Sequence, residues 1–355
     1  MAVIATEGFD HYGTFADAQL RAGNLAWSSG TTPTIVTPGR GGFGKCLSIP
    51  ITSLGSGATI AAFNANIASY YVGFAMQMVG EVTGFSVSPY DPIGSGAVQC
   101  SVFFNLSAGQ ITLYRGGPSG VELGISSPAI FAASSWNFVE VFSTINGTTG
   151  ALQVRINNQP VAGCTLTGVN TQSTANASSG GVSLIADTGT GGEMYIDDFR
   201  YNDTSTGPGT YPNNSWLGDL RVATVFPTAN DAVTWTPLAS TNWEEVSETS
   251  FDGDTTYNST TTNGDEDLFN MGTLSAVIDE IVAVQLVTGA READAGGHTF
   301  TQQLKIGGTD HAGATQALAT GYQFFSDIFP VNPTTGVSWT LSDVNAILAG
   351  YKSVS

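Results

Sequence analysis

The chain has 355 residues, 41% of them hydrophobic and 10% aromatic, which is enough apolar surface for packed cores and excludes a disordered chain. Its 29 acidic against 10 basic side chains give a formal charge of −19, a field that opposes phosphate backbones and argues against a nucleic-acid partner. The length exceeds what one core usually serves, so two domains are expected; 44 glycines and only 11% charged residues point to β-rich, turn-rich structure with few long helices.

The opening Met-Ala-Val-Ile-Ala-Thr is short and lacks a basic region, so no secretory signal is expected there. No apolar run approaches the roughly 20 residues that span a bilayer, and no membrane insertion is expected. Cys46, Cys100 and Cys164 are widely spaced, odd in number and free of CxxC pairs, which argues against both a disulfide scaffold and a zinc site and for buried apolar thiols in a protein folded in the cytoplasm.

Strands are expected in chain order at 5–9, 26–28, 46–51 and 70–79, where Val72, Phe74, Met76 and Met78 alternate with small or polar residues. Further strands follow at 98–106 and 110–115. Period-two runs at 138–142 and 152–156 flank Asn-Gly-Thr-Thr-Gly, the pattern of a hairpin. A polar Ser/Thr/Asn/Gly stretch comes next, then strands at 181–186 and 194–201. At least nine short strands with glycine-rich turns predict a two-sheet sandwich or jelly roll.

The Trp136-led strand, its hairpin, the Asn-Asn-Gln-Pro turn after 156, the terminal Ile-Asp-Asp-Phe strand at 196–199 and the opening Glu-Gly-Phe-Asp-His-Tyr at 7–12 together resemble the concanavalin A-like lectin/glucanase and laminin G group of jelly rolls. The resemblance covers residues 1–205. It implies fold rather than function, because such sandwiches host lectins, hydrolases and capsid proteins alike.

Residues 202–216 hold two prolines and two glycines without apolar periodicity, so the expected division is a domain over 1–203, a linker at 204–215 and a second domain over 216–355. Trp216 to Val222 is expected to open a second β-pattern, followed by strands at 233–235, 281–290, 298–307, 323–325 and 338–341 around an acidic loop at 251–267. A short helix is expected at 342–348, capped by Ser342 and stopped by Gly350. From Ser215-Trp-Leu-Gly-Asp-Leu-Arg-Val through Phe251-Asp-Gly-Asp-Thr-Thr-Tyr and Ile306-Gly-Gly-Thr-Asp-His to Trp339-Thr-Leu-Ser-Asp-Val-Asn, the order of phrases resembles the C-terminal part of tailed-bacteriophage structural proteins. That resemblance implies membership of a virion, with other virion proteins as partners.

Catalytic patterns are weak. Glu193 and Asp197 share a strand face but stand about 13 Å apart along an extended strand, against roughly 5–5.5 Å for a retaining glycosidase pair. No nucleophile elbow or phosphate loop is present. Asp252 and Asp254 are candidate Ca²⁺ ligands, without the spacing of an EF-hand, and a solvated Asp-Gly turn competes with that reading. Tyr90, Tyr114, Trp243 and Tyr257 lie near expected loops and are candidate sugar or partner contacts.

The expectation is therefore an all-β protein: an N-terminal concanavalin A-like jelly-roll sandwich and a smaller C-terminal β-sandwich. It is read as a non-enzymatic structural component of a tailed-phage particle, exposed as a fibre, spike, capsid decoration or minor tail protein. The alternative is a lectin-like module that binds host-surface glycan. Aromatics on both parities of 322–325, with Ile328, Phe329 and Trp339 nearby, suggest a face covered by another copy, and a homo-oligomer, with a trimer favoured, is expected.

Overall fold

The computed structural model describes residues 3–21, 25–29, 32–51, 56–91, 97–132, 134–205, 214–275, 278 and 280–355, with the backbone alone at 25–29, 56–65 and 187–190. The chain forms two compact units: Met1–Phe9, Gly23–Thr206 and Asn213–Val222 make the first, and Asp10–Ala22, Gly207–Pro212 and Ala223–Ser355 the second. Residues 206–213 of the expected linker lie outside the described residues.

The first unit contains β1 (Val3–Glu7), β2 (Leu25–Ser29), β3 (Thr34–Val36), β4 (Cys46–Pro50), β5 (Ser56–Ile67), β6 (Ser69–Tyr90), β7 (Cys100–Asn105), β8 (Gln110–Arg115), β9 (Val121–Ile125), β10 (Asn137–Thr144), β11 (Gly150–Ile156), β12 (Gln159–Val169) and β13 (Ser179–Asp203). β6 and β13 pair antiparallel along nearly their whole lengths, from Tyr90 against Gly181 to Tyr70 against Asp203. Midway, Gly80 (φ 88°) faces Gly192 (φ 135°), and a Cβ on Gly80 would fall 2.7 Å from the Gly192 Cα, so only glycine permits this close, left-handed crossing. On one side of that point the order is β12-β11-β10-β6-β13-β4-β3, with β1 also on β13; on the other, β7, β8 and β9 extend from β6, and β5 and β2 from β13. The two long strands thus serve both layers of a jelly-roll sandwich, and β12 packs on β8 and β9. Tyr70, Val72, Phe74, Met76 and Met78 of β6 are all buried, as their alternation predicts.

Four sequence expectations change here. Segments 181–186 and 194–201 are halves of one strand, because the glycines between them carry the ladder through its bend instead of ending it. The expected turn at Asn157 (φ 48°) and Asn158 (φ 67°), both left-handed, leads into β12, which runs on into the polar stretch after 163. Of residues 7–12, the strand takes only Glu7, and residues 10–12 belong to the second unit. Residues 214–222 form no strand; they lie as a strap on the first unit.

The second unit begins with α1 (Phe15–Gln19), started by a capping box in which Thr14 and Asp17 exchange hydrogen bonds. It continues with β14 (Pro227–Val233), β15 (Thr236–Pro237), β16 (Asn258–Ser259), β17 (Glu266–Met271), β18 (Val284–Ala290), β19 (Thr299–Ile306), β20 (Thr309–Ala317), β21 (Gln323–Phe329), α2 (Leu341–Val344) and β22 (Leu348–Ser353). A five-stranded sheet, β14-β17-β22-β19-β20, and the β18–β21 pair enclose a core that includes Leu286, Leu304, Ile306, Trp339, Val344 and Ile347. This is the smaller β-sandwich.

Thr340, not Ser342, caps α2, and the helix stops at Val344. Gly350 does not terminate a helix: it lies inside β22, where a Cβ would meet the Asp267 carbonyl oxygen at 1.8 Å, so the glycine admits the neighbouring strand. Two of the aromatics that suggest a second copy are covered inside the second unit itself, while Tyr322, Ile328 and Phe329 are half-buried. Phe324 (6% exposed) is enclosed by Tyr12 and Phe251, and Phe325 (8%) packs edge-on against Phe300, all within the second unit. No helix among the described residues is long and apolar enough to cross a membrane.

Candidate functional site

In β11, Leu152, Val154 and Ile156 are buried while Gln153 and Arg155 alternate to the outer face. The register extends this face into two transverse rows. Arg155 lies between Pro160 of β12 and Glu140 of β10; Glu140 opposes Gly73 of β6, which opposes Arg200 of β13. One step along, Thr165, Gln153, Phe142, Tyr71 and Asn202 form the second row.

The strap crosses these rows. The Gly218 N–H donates to Glu140 Oε1 (2.9 Å), Arg200 Nη2 donates to the Gly218 carbonyl (3.3 Å), and Asn202 Nδ2 donates to the Ser215 carbonyl (3.2 Å). Further along, Asp219 pairs with Arg40 at 2.6 Å, and the Val222 N–H donates to Asp198 Oδ1 at 2.8 Å. The strap thereby seats Trp216 edge-on to Tyr71 (5.1 Å) and Phe142 (6.3 Å), with the Arg155 guanidinium 4.4 Å over its ring. A depression of about 50 Å³ results, lined by Gln153, Val154, Arg155, Pro160, Thr165 and Trp216. Glu140 Oε1 is shared by Arg200 and the Gly218 N–H while its Oε2 is buried without a hydrogen-bond partner, and Arg155 has no ion pair among the described residues. Burial pushes the Tyr71 phenol up and the nearby Arg155 charge pulls it back.

The sequence candidates fall elsewhere and are not brought together. Tyr90 ends β6, where burial raises its phenol, and Tyr114 lies on β8 with β7 between them. Trp243 and Tyr257 belong to the second unit: the Trp243 N–H donates to Asn230 Oδ1 and the Tyr257 N–H to buried Glu245. Asp252 accepts from Thr256 through both oxygens (3.1 and 3.0 Å), and Asp254 accepts from Arg291 and from the Tyr322 hydroxyl at 2.9 Å each. Arg291 first, then Tyr322, holds the Asp254 carboxyl below the ordinary carboxylate range, and a guanidinium there opposes a cation. Among the described residues no three His, Cys, Asp or Glu side chains converge as a metal set. Glu193 bonds the Tyr195 hydroxyl, while Asp197 is buried and accepts the Arg40 N–H at 2.8 Å, so the two carboxylates serve separate local contacts. The depression was legible only in part: the alternation of 152–156 sets Gln153 and Arg155 outward, but nothing local shows that Trp216 folds back onto them.

No family model matches the chain, and no curated protein matches it. Solved structures similar to it include the carbohydrate binding module CBM66 from Bacillus subtilis (9% identity, 51% of this chain and 96% of that chain, TM-score 0.35). The cellulose induced protein Cip1 (11%, 56% and 96%, TM-score 0.41) and the catalytic domain of the glycoside hydrolase family 131 protein from Coprinopsis cinerea (14%, 62% and 99%, TM-score 0.41) are also similar. At these scores the likenesses assign no residue a role.

Proposed function

We propose that the chain is a non-enzymatic carbohydrate-binding protein whose contact surface is the Trp216 depression. The observation that carries this reading is the meeting of an indole, a guanidinium, a carboxamide and a hydroxyl around one open hollow. A saccharide offers apolar C–H faces, which suit an aromatic edge, and hydroxyls, which need planar donors and acceptors held in place. None of the described residues that line the hollow is a carboxylate, which favours binding over the two-carboxylate chemistry of glycoside hydrolysis. A glycan array probed with the full chain and with Gln153→Ala/Thr165→Val tests the reading. Signal on a defined glycan that falls at least several-fold in the variant is expected; no glycan bound, or equal binding by both proteins, overturns it.

A second reading makes the chain a structural component of a tailed-phage particle, favoured by the order of phrases over 216–355. The two are compatible if the module serves adsorption. Antibody to the chain, applied to particles under negative stain, should label a discrete feature; unlabelled particles reject the virion reading.

A further inference from the structure

We infer that the Trp216 depression selects an acidic sugar, taking the carboxylate of a uronate against Arg155; this rests on the carbohydrate-binding reading and names its ligand class.

Size comes first. The hollow is small, about 50 Å³, and open to solvent, so a saccharide can lie over it with one substituent directed inward. A ring placed against the edge of Trp216 and Pro160 directs that substituent at the polar side of the hollow. What the substituent meets is Arg155, with the Gln153 amide and the Thr165 hydroxyl beside it. A guanidinium presents donors in a fixed planar fork that fits a carboxylate with two parallel hydrogen bonds, and its charge favours an anion over a hydroxyl.

Charge accounting on the sheet face supports the same choice. Arg200 is matched by Glu140, Arg40 by Asp198 and Asp219, and Arg221 by Asp198. Arg155 stands opposite Glu140 in register, but Glu140 Oε1 is engaged by Arg200 and the Gly218 N–H, its Oε2 makes no hydrogen bond, and no ion pair among the described residues joins it to Arg155, whose in-plane donors stay available to a ligand. Stacking on Trp216 at 4.4 Å positions the guanidinium without consuming its in-plane donors. In a chain of net charge −19, such a cation in a hollow is a local exception to the field. That field is screened beyond about 8 Å at physiological salt, within which a bound carboxylate and Arg155 interact directly.

Titration calorimetry of the full chain with trigalacturonate, its methyl ester and neutral galactotriose tests this, alongside Arg155→Gln and Arg155→Lys. The acid should bind at least tenfold more tightly than its ester, a preference abolished in Arg155→Gln and reduced in Arg155→Lys, which keeps charge but loses the fork. Equal affinity for acid and ester overturns the inference while leaving sugar binding intact. So does acid binding that Arg155→Gln leaves unchanged with the β-type circular dichroism preserved. If none of the three is bound, a panel of other uronate, sulfated and neutral oligosaccharides separates the cases: uronate binding lost in Arg155→Gln supports the inference, neutral or sulfate-only binding overturns it, and no binding to any rejects the carbohydrate reading itself.

Discussion

Arg200 and Glu140 form an ion pair across β6, and the residue between them in register is Gly73. Both partners are buried, at 3% and 1% exposure. A Cβ on Gly73 would lie 2.8 Å from Arg200 Nε, so the missing side chain is what lets the guanidinium lie flat over the strand. Burial lowers Arg200 and Glu140 opposes it, leaving it at about 10, which keeps it charged at neutral pH.

Removing one partner of such a pair strands the other charge. Glu140→Ala should lower stability by about 3–5 kcal/mol, and Gly73→Ala by about 1–3 kcal/mol as the guanidinium is displaced. Urea midpoints of the two variants check this. A loss under about 1 kcal/mol in Glu140→Ala, well below the expected range for a buried pair, would show that the strap and pair are not coupled to folding.

Glu248 is half-buried and its Oε2 has no hydrogen-bond partner. Burial, then the nearby Asp252 and Glu245 charges, push its carboxyl up from 4.5 to about 7, against a backbone hydrogen bond that lowers it. The folded state therefore holds a proton that the unfolded chain has released between those pH values, and the associated stability is full below pH 4.5 and lost as pH rises through 7. Glu248→Gln should flatten this part of the stability profile and stabilise the protein at pH 8, on the order of 1 kcal/mol once solvent screening is allowed for. Parallel profiles for the two proteins from pH 4.5 to 8 would contradict it.

All three thiols are buried, and desolvation first pushes each up to about 12, with Asp197 and Glu193 adding to the effect at Cys46. Thiolate is the reactive form, so the folded chain should resist a thiol-reactive dye at pH 8 and release three equivalents of colour only in denaturant. Fast labelling of any one thiol in the native protein counts against its placement.

Local pattern carried most of the fold. The alternation of 70–78 and 152–156 set inward and outward faces correctly because pleat geometry leaves no other choice once one side is buried. It failed where a residue type had two uses. Gly189, Gly191 and Gly192 read as a turn but sit within a bent strand, and Gly350 read as a helix stop but gives room for the Asp267 carbonyl. The site was harder still, since it needs Trp216 to meet Arg155 from 61 positions away in sequence, a contact set by the Gly218 hydrogen bonds rather than by any neighbour of either residue.

Residues 10–22 belong to the second unit although they precede most of the first. Tyr12 is fully buried and meets Phe324 edge-on at 5.3 Å, His11 stands 5.7 Å from the same ring, and the Phe324 N–H donates to the Leu20 carbonyl at 3.0 Å. A fragment cut at the border expected from sequence, 216–355, lacks this cover and leaves both an aromatic face and a backbone donor exposed. It should self-associate, bind a hydrophobic dye and melt broadly. Fusing residues 10–22 to its N-terminus through a flexible spacer should restore a monomer with a sharp β-type transition, and Tyr12→Ala in the full chain should cost about 3 kcal/mol in that unit. A 216–355 fragment that sediments as a monomer and melts as cooperatively as the fused one would show that residues 10–22 are dispensable.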